Sequence, residues 1–565
     1  MTSQAALPFT LTPPTPECNV EVRPSPTAGN GLFATKDIPA GSTILLTARP
    51  LIGELDLPRL QDSCHNCFMW AYKAAKGCAV HATQGNKEPG CHGCENEGGN
   101  PGVKACTGFQ SRRSSFSCVL RVMLMQIASH VDLPEAGLDK ISQTRMQALE
   151  GPESSTPSQL CTSGTAVGMP HEERRCTRGR KGSSSTIKQL RALEQYKVTV
   201  ASVRDLFARI TPDNSSASEI QEFVGKILRN SLTLTAPTLD PLGIALDPIA
   251  CSANHSCEPN ASVLFDVPRL MMRSLAPIKK GEEVFISYID HTEPFYRRRA
   301  QLESRYCFKC ECSKCRLGSD QREDQWAQPP ENLVDKWSTL AKPMDRVEKF
   351  SKDPANYVGE SQAEWNLSVI QGKAYQDYEK ARSYTNSALA ISALETVMRT
   401  CHQTGMWPIT RQPYANSRVD ISSHMLDEGR VGLALFQMAK TYFLIDPVLY
   451  PQDFHPVRVV HTWGLAKTLV MAYSSPNDPT QAVDPGVEEL FERGFDFVVP
   501  IWRILKKLSQ DVLKSHGSGS NMTFMVHAIT QQVRDGIGMD NLRQIEQDPL
   551  KMWKEFEKWA YFLQY

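Results

Sequence analysis

From about Asn332 to Tyr565 apolar and polar positions alternate with a helical period. Val431, Leu435, Met438, Tyr442 and Ile445 form one stripe at i, i+4 and i+7 spacing. Similar stripes run through Asn386–Arg399, Val457–Ala472, Val487–Leu508 and Met522–Val533. Pro408, Pro413, Pro447, Pro451, Pro456 and Pro485 punctuate them, because proline cannot continue a helix. The pattern predicts antiparallel helix pairs whose stripes form a core rather than a ligand site. No strict sequence period repeats along them.

The middle of the chain follows a different rhythm. Ser262–Asp266 and Leu270–Leu275 read as two strands joined by a turn at Asp266-Val267-Pro268-Arg269. Lys279-Lys280-Gly281-Glu282 is a second turn, and Val284–Ile289 is a third strand. Strict alternation puts Val284, Ile286 and Tyr288 on one face. Near the N-terminus, Leu32–Ala34 and Thr43–Thr47 are strand-like, with a Pro39-Ala40-Gly41 turn between them. Plausible helices occupy Leu190–Phe207 and Ser218–Arg229. The chain is thus α+β, with strands in its first half and helices in its second.

At 565 residues the chain has room for more than one domain. Its 62 Lys and Arg equal its 62 Asp and Glu, so net charge draws it to neither nucleic acid nor membrane. The longest apolar run, near Val119–Ala128, is too short to span a bilayer. The N-terminus shows no basic region followed by an apolar run, which predicts no signal peptide. Seventeen cysteines in that setting point to reduced thiols and metal rather than disulfides, and to cytoplasm or nucleus.

Cys310, Cys312 and Cys315 lie within six residues, among the charged Lys309, Glu311 and Lys314. The spacing suits tetrahedral zinc, which needs a fourth ligand from elsewhere. Cys257, in Asn254-His255-Ser256-Cys257-Glu258-Pro259-Asn260, is the best candidate. Gly281-Glu282-Glu283 followed by Tyr288 is a further motif, and Gly29-Asn30-Gly31 an earlier one. In order and spacing these segments resemble a SET domain, the lysine methyltransferase fold, with the three clustered cysteines as its post-SET zinc segment. The nearest subfamily is that of the SET- and MYND-domain proteins, in fungal-like form. The resemblance covers residues 18–67 and 201–318, and the helical half in character only.

That resemblance implies a SET β-fold split by a degenerate MYND-type finger, with a post-SET zinc cluster and a C-terminal helical domain like tetratricopeptide repeats. Its divisions are a disordered arm at 1–17, the first part of the SET domain at 18–63 and the finger at 64–118. A basic low-complexity insert at 119–195, the SET core at 196–291, the post-SET segment at 292–318 and the helical domain at 331–565 follow. Cys64-His65-Asn66-Cys67 begins the finger, with Cys64 and Cys67 as zinc ligands. After Lys104-Ala105-Cys106-Thr107-Gly108 the pattern fails: Phe109 stands where a cysteine belongs, and Cys78, His81, Cys91 and Cys94 are substitute ligands. Arg174, Arg175, Arg178, Arg180 and Lys181 read as solvated disorder more readily than as a nuclear signal or nucleic-acid patch. A gene-model fault over 107–195 is the other explanation for the broken finger.

The resemblance further implies S-adenosylmethionine as methyl donor and a protein lysine, on a histone tail or another protein, as acceptor. It makes Tyr288 the catalytic hydroxyl. Asn30, Gly31, Asn230, Asn254, His255, Tyr306 and Phe308 become donor contacts, and Cys257, Cys310, Cys312 and Cys315 the structural zinc ligands. Peptide partners would bind the helical domain, with no membrane or nucleic-acid partner, and the protein is expected to be a monomer. The alternative is a silent scaffold or transcription regulator working through its helical and finger parts.

Overall fold

The structure is a computed structural model. It describes residues 16–55, 230–316 and 362–563, with short breaks at 27–28, 49, 51, 267, 307, 404–406, 475–483, 539–540, 544 and 546–549. The finger, the insert, the two helices expected at 190–207 and 218–229, and the stretch 317–361 lie outside the described residues.

Eleven described strands form three sheets. The first joins β1 (Glu17–Cys18), β4 (Thr43–Thr47), β10 (Arg269–Ser274) and β9 (Ala261–Asp266). Here β9 and β10 make the expected hairpin, in register from Arg269 opposite Asp266 to Ser274 opposite Ala261. The second joins β2 (Val20–Pro24), β3 (Asn30–Ala34), β11 (Glu283–Ile286) and β8 (Asn254–His255). It carries the chemistry, because it places the three separate motifs side by side. Val284 pairs with Leu32 antiparallel, while Phe285 and Ile286 run parallel to Asn254 and His255. The third holds β5 (Ile52–Leu55), β7 (Pro241–Leu246) and β6 (Leu232–Thr235). Its β5–β7 pairing closes the long excursion between residues 55 and 230.

Val284 and Ile286, which alternation put on one face, are both buried, whereas β4 and β10 are buried along most of their length. Leu32, Ile44, Leu45, Phe265, Leu270, Met272, Val284 and Ile286 are all buried in one cluster. The third expected strand is shorter than predicted, ending at Ile286. The backbone N–H of Tyr288 donates to His255 Nδ1 instead of to a strand, and Ser287 Oγ donates to the Ile289 carbonyl. Tyr288 therefore stands just beyond the sheet edge, in a bend.

The helical half packs as successive neighbours around two cores. Helices Gln362–Arg382, Ser387–Gln403 and Tyr414–Asp427 enclose Leu394, Val397, Trp407, Tyr414 and Ile421. Helices Val431–Lys440, Pro456–Ser474, Val498–Ser515 and Asn521–Ile537 enclose Leu435, Trp463, Leu469, Ile504 and Leu508. Two expectations need correction. The stripe Val487–Leu508 is broken into Pro485–Glu492 and Val498–Ser515, because Gly494 adopts a φ of 73° that ends the first helix. The stripe from Val431 is interrupted by a wide turn at Thr441–Ile445, which sends Ile445 into the other core from Leu435. Among the described residues no helix is long and apolar enough to cross a membrane.

Arg273 on β10 ties the two halves together. Its guanidinium donates to the carbonyls of Leu513 and Lys514, the last turn of Val498–Ser515, and to Gly41 O at 2.6 Å and Thr43 Oγ1 at 2.6 Å. A cation suits a helix C-terminus, where carbonyls lack partners. Burial lowers Arg273 to about 10, so it stays charged. Gly41 allows the close approach: a Cβ there would lie 2.7 Å from Lys514 Cβ. Arg273→Ala should lose roughly 2–4 kcal/mol of stability, since four carbonyl and hydroxyl oxygens are left behind. Denaturant titration reads this directly; a midpoint equal to the parent's would contradict it.

The other side of the junction is rich in buried rings. His291 lies 5.8 Å from His455 and 5.9 Å from Tyr450, centroid to centroid. Burial lowers His291 and His455 to about 3 and His516 to about 4, and raises Glu293 to about 7. Below the ordinary histidine value of 6.5 the unfolded chain takes up protons on these histidines that the folded chain refuses. Glu293 works in the opposite sense but is one group against three. Stability should therefore fall by roughly 1–3 kcal/mol per pH unit as the pH drops below 6.5. Thermal melts at pH 7 and pH 5 measure it, and an unchanged melting temperature would refute it.

Candidate active site and cysteine cluster

The second sheet brings Asn30, Gly31 and Asn254 together. Asn254 Nδ2 donates to the Asn30 carbonyl at 3.1 Å and to Glu283 Oε1 at 2.7 Å. Ser25 Oγ donates to the other Glu283 oxygen at 2.9 Å. Gly31 leaves room for this carboxylate: a Cβ there would come within 2.3 Å of Glu283 Oε1 and displace the end of that side chain. Asn260 braces the same strand from the far end of its motif: its Nδ2 donates to Glu283 O and its Oδ1 accepts from Phe285 N. Asn230 is not brought to this group by strand pairing. It precedes β6, which pairs with β7 in the third sheet.

Tyr288, His255, Tyr306 and Phe308 form an aromatic cluster at the end of β8 and β11. The Tyr288 ring lies 5.2 Å from His255, 5.0 Å from Tyr306 and 6.5 Å from Phe308, which also stands 6.0 Å edge-on to His255. The Tyr288 hydroxyl donates to the Ala253 carbonyl at 2.7 Å. Tyr306 Oη donates to the Tyr288 carbonyl at 3.2 Å. Burial pushes the Tyr288 phenol up, and the neighbouring Cys251, Tyr306 and Glu283 add to the effect in that order, so it is a neutral hydroxyl. His255 accepts at Nδ1 from Tyr288 N, which leaves its proton on Nε2, 3.3 Å from Cys257 Sγ. Burial lowers His255 to about 4, so the ring is neutral near pH 7.

The sulfurs of Cys257, Cys310, Cys312 and Cys315 all lie within 4.8 Å of one another. All four are free thiols; Cys257, Cys310 and Cys315 are buried and Cys312 is partly exposed. Hydrogen bonds from the other three thiols hold Cys312 well below the ordinary thiol range, and those from Cys257 and Cys310 lower Cys315 to about 7. Four converging sulfurs fit a closed tetrahedral zinc site. The sequence supplied three ligands and a candidate fourth, and the geometry brings that fourth to them across 53 residues of chain. Cys64 and Cys67 lie outside the described residues.

Sequence reasoning missed several partners. Arg298, in the helix Phe295–Gln301, is fully buried, donates to the Glu293 carbonyl at 2.7 Å and sits 3.9 Å from Cys315 Sγ. Its cation lies against the thiol cluster, but within the run Tyr296-Arg297-Arg298-Arg299 nothing in the sequence distinguishes it from its half-buried neighbours. The Ala253 carbonyl carries no side-chain signal at all. Glu283 and Asn260 stood inside the recognised motifs without a role.

Residues 29–289 match the family model of the SET domain. Over 134 residues the chain is 32% identical to the human histone-lysine N-methyltransferase SMYD3, covering 24% of this chain and 30% of that protein. It is 39% identical over 99 residues to SET domain and MYND-type zinc finger protein 6 of Schizosaccharomyces pombe, covering 18% and 20%. Against the human N-lysine methyltransferase SMYD2 it is 38% identical over 104 residues, covering 18% and 23%. The aligned part spans less than a third of each relative. Through residues 29–289 the chain is similar to SET domains, and it resembles the SET- and MYND-domain lysine methyltransferases, as its motifs indicated.

Proposed function

We propose that this protein transfers a methyl group from S-adenosylmethionine to a lysine side chain of a protein substrate. The observation that carries the reading is the Tyr288 hydroxyl, fixed on the Ala253 carbonyl inside an aromatic cage beside the Asn254–Asn30 pair. The donor supplies an electrophilic methyl group on a cationic sulfur when bound. Asn30, Gly31, Asn254 and His255 hold it on one side, and Tyr306 and Phe308 cover it on the other. Tyr288 donates its own proton to Ala253, so its oxygen is left to accept from the incoming amine and orient it. Desolvation in the channel and the donor's positive sulfur both disfavour an ammonium and favour the neutral amine that the transfer needs. Holding amine and methyl in line accounts for much of the rate in such reactions, up to roughly 7–11 kcal/mol in favourable cases.

Cys257, Cys310, Cys312 and Cys315 would hold one structural zinc. Bound there, it would clip the segment bearing Tyr306 and Phe308 onto the motif bearing Asn254 and His255. The helical half, packed like tetratricopeptide repeats, offers a surface for peptide partners, and the MYND-type finger is degenerate. Action in the nucleus or cytoplasm fits a thiol-rich chain. Incubating purified protein with radiolabelled S-adenosylmethionine and a cell lysate tests the reading. Label in a lysine-containing protein band is expected; no transfer to any protein or histone overturns it.

A further inference from the structure

We infer that Asn260 is a positioning residue for Tyr288, acting through the strand β11. The inference rests on the role proposed for the Tyr288 hydroxyl and goes beyond it. Asn260 belongs to two sheets at once. Its carbonyl accepts from Leu275 N at 2.8 Å, one step beyond the Ala261–Ser274 pair at the open end of the β9–β10 hairpin. Its side chain reaches into the second sheet. Nδ2 donates to the Glu283 carbonyl at 2.9 Å, and Oδ1 accepts from Phe285 N at 2.8 Å. A donor end on a carbonyl and an acceptor end on an N–H allow one orientation of the amide.

Residues two apart in a strand turn their backbone groups to the same side. An amide that donates to Glu283 O and accepts from Phe285 N therefore does what the peptide of a neighbouring strand would do. β11 is four residues long. Its ladder to β3 covers Glu283 and Val284, and its ladder to the two-residue β8 covers Phe285 and Ile286. Further along, the same segment 253–260 takes Ile286 O with Ser256 N at 3.0 Å and Tyr288 N with His255 Nδ1 at 3.0 Å. The row ends where the Tyr288 hydroxyl meets the Ala253 carbonyl at 2.7 Å. Asn260 is the upstream grip of that row, and its backbone ties it to the hairpin. It fixes how far along the segment β11 sits, and so where the Tyr288 oxygen lies. A displacement of about 1 Å near a reacting centre can cost ~100-fold in rate.

The test is single-turnover methyl transfer by the full chain, at saturating S-adenosylmethionine, to a substrate found by labelling. Melting temperature is read on the same variants. Asn260→Ala removes both side-chain bonds and should slow transfer about 10–100-fold. Asn260→Asp keeps the size and the acceptor for Phe285 N but sets an oxygen against the Glu283 carbonyl. It should be slow as well, whereas a residue that only fills space would be rescued by it. It also carries the test if Asn260→Ala fails to fold. The deciding readout is a double-mutant cycle. In a Tyr288→Phe background the hydroxyl is already gone, so adding Asn260→Asp should slow transfer by about threefold or less. Transfer by Asn260→Asp within about twofold of the parent overturns the inference. So does a loss that multiplies in full with that of Tyr288→Phe, or a melting temperature that collapses in both Asn260 variants, since either makes Asn260 a support of the fold alone. A parent protein that transfers to no protein overturns the role of Tyr288, and this inference with it.

Discussion

Tyr288→Phe is expected to bind S-adenosylhomocysteine as the parent does and to transfer methyl groups about 100–1000-fold more slowly. The substitution removes one oxygen. The ring stays, so the packing against His255, Tyr306 and Phe308 at 5.0–6.5 Å is kept. The lost bond to Ala253 O leaves one carbonyl short of a donor, a stability change of about 1 kcal/mol. The large effect falls on rate, because the hydroxyl oxygen, fixed on the Ala253 carbonyl, is the atom assigned to orient the amine. Donor binding is expected to survive because the Asn254–Asn30 bond is made by atoms other than that oxygen. Single-turnover transfer to a substrate found by labelling separates the two effects. Parent-like turnover would remove Tyr288 from the chemistry, and loss of donor binding would make its role structural.

Five of the strands and the helices with long apolar stripes were legible because their apolar periods differ; short strands such as β1 and β8, two residues each, carry no period to read. The β9–β10 hairpin was visible from its turn, and the Thr43–Thr47 strand from its apolar run. What the sequence hid was pairing between distant segments. Nothing in Leu32 or Val284 alone says that they face each other, yet that register puts Glu283 beside Gly31. The end of β11 was also hidden, because it is set by His255 accepting from Tyr288 N, a contact between two motifs read separately. Arg273 and Arg298 show the same limit from another side. Each is a buried cation whose partners are mostly backbone carbonyls, and carbonyls leave no trace in a sequence. Asn230, carried over as a donor contact, precedes β6 of the third sheet, so strand pairing alone does not say what it meets. The cysteine cluster was legible because metal ligation constrains residue type as well as spacing.

Cys312→Ser should yield protein that has lost most of its bound zinc and binds S-adenosylhomocysteine more weakly. A serine hydroxyl has nearly the shape of a thiol but is not deprotonated near neutral pH, so one of four thiolates is gone. Structural zinc sites contribute on the order of 10–16 kcal/mol, and removing one ligand should weaken the site by at least ~100-fold. Cys312 is the informative position because it is the partly exposed member of the cluster, so its substitution disturbs the apolar surroundings least. The consequence for donor binding follows from the chain path. Phe308 lies two residues before Cys310, and Tyr306 two before that, so the zinc anchors the segment that brings both rings to Tyr288 and His255. His255 adds a second route: its Nε2 proton faces Cys257 Sγ while its Nδ1 holds Tyr288 N. A metal-free cluster relaxes both sides at once. Chelation of the parent protein should reproduce the mutant, with zinc and donor affinity falling together. Metal analysis that finds parent-level zinc in Cys312→Ser would refute the ligand set. Zinc lost with donor affinity intact would show instead that the rings are held by their own packing, through the Tyr306 hydroxyl on the Tyr288 carbonyl.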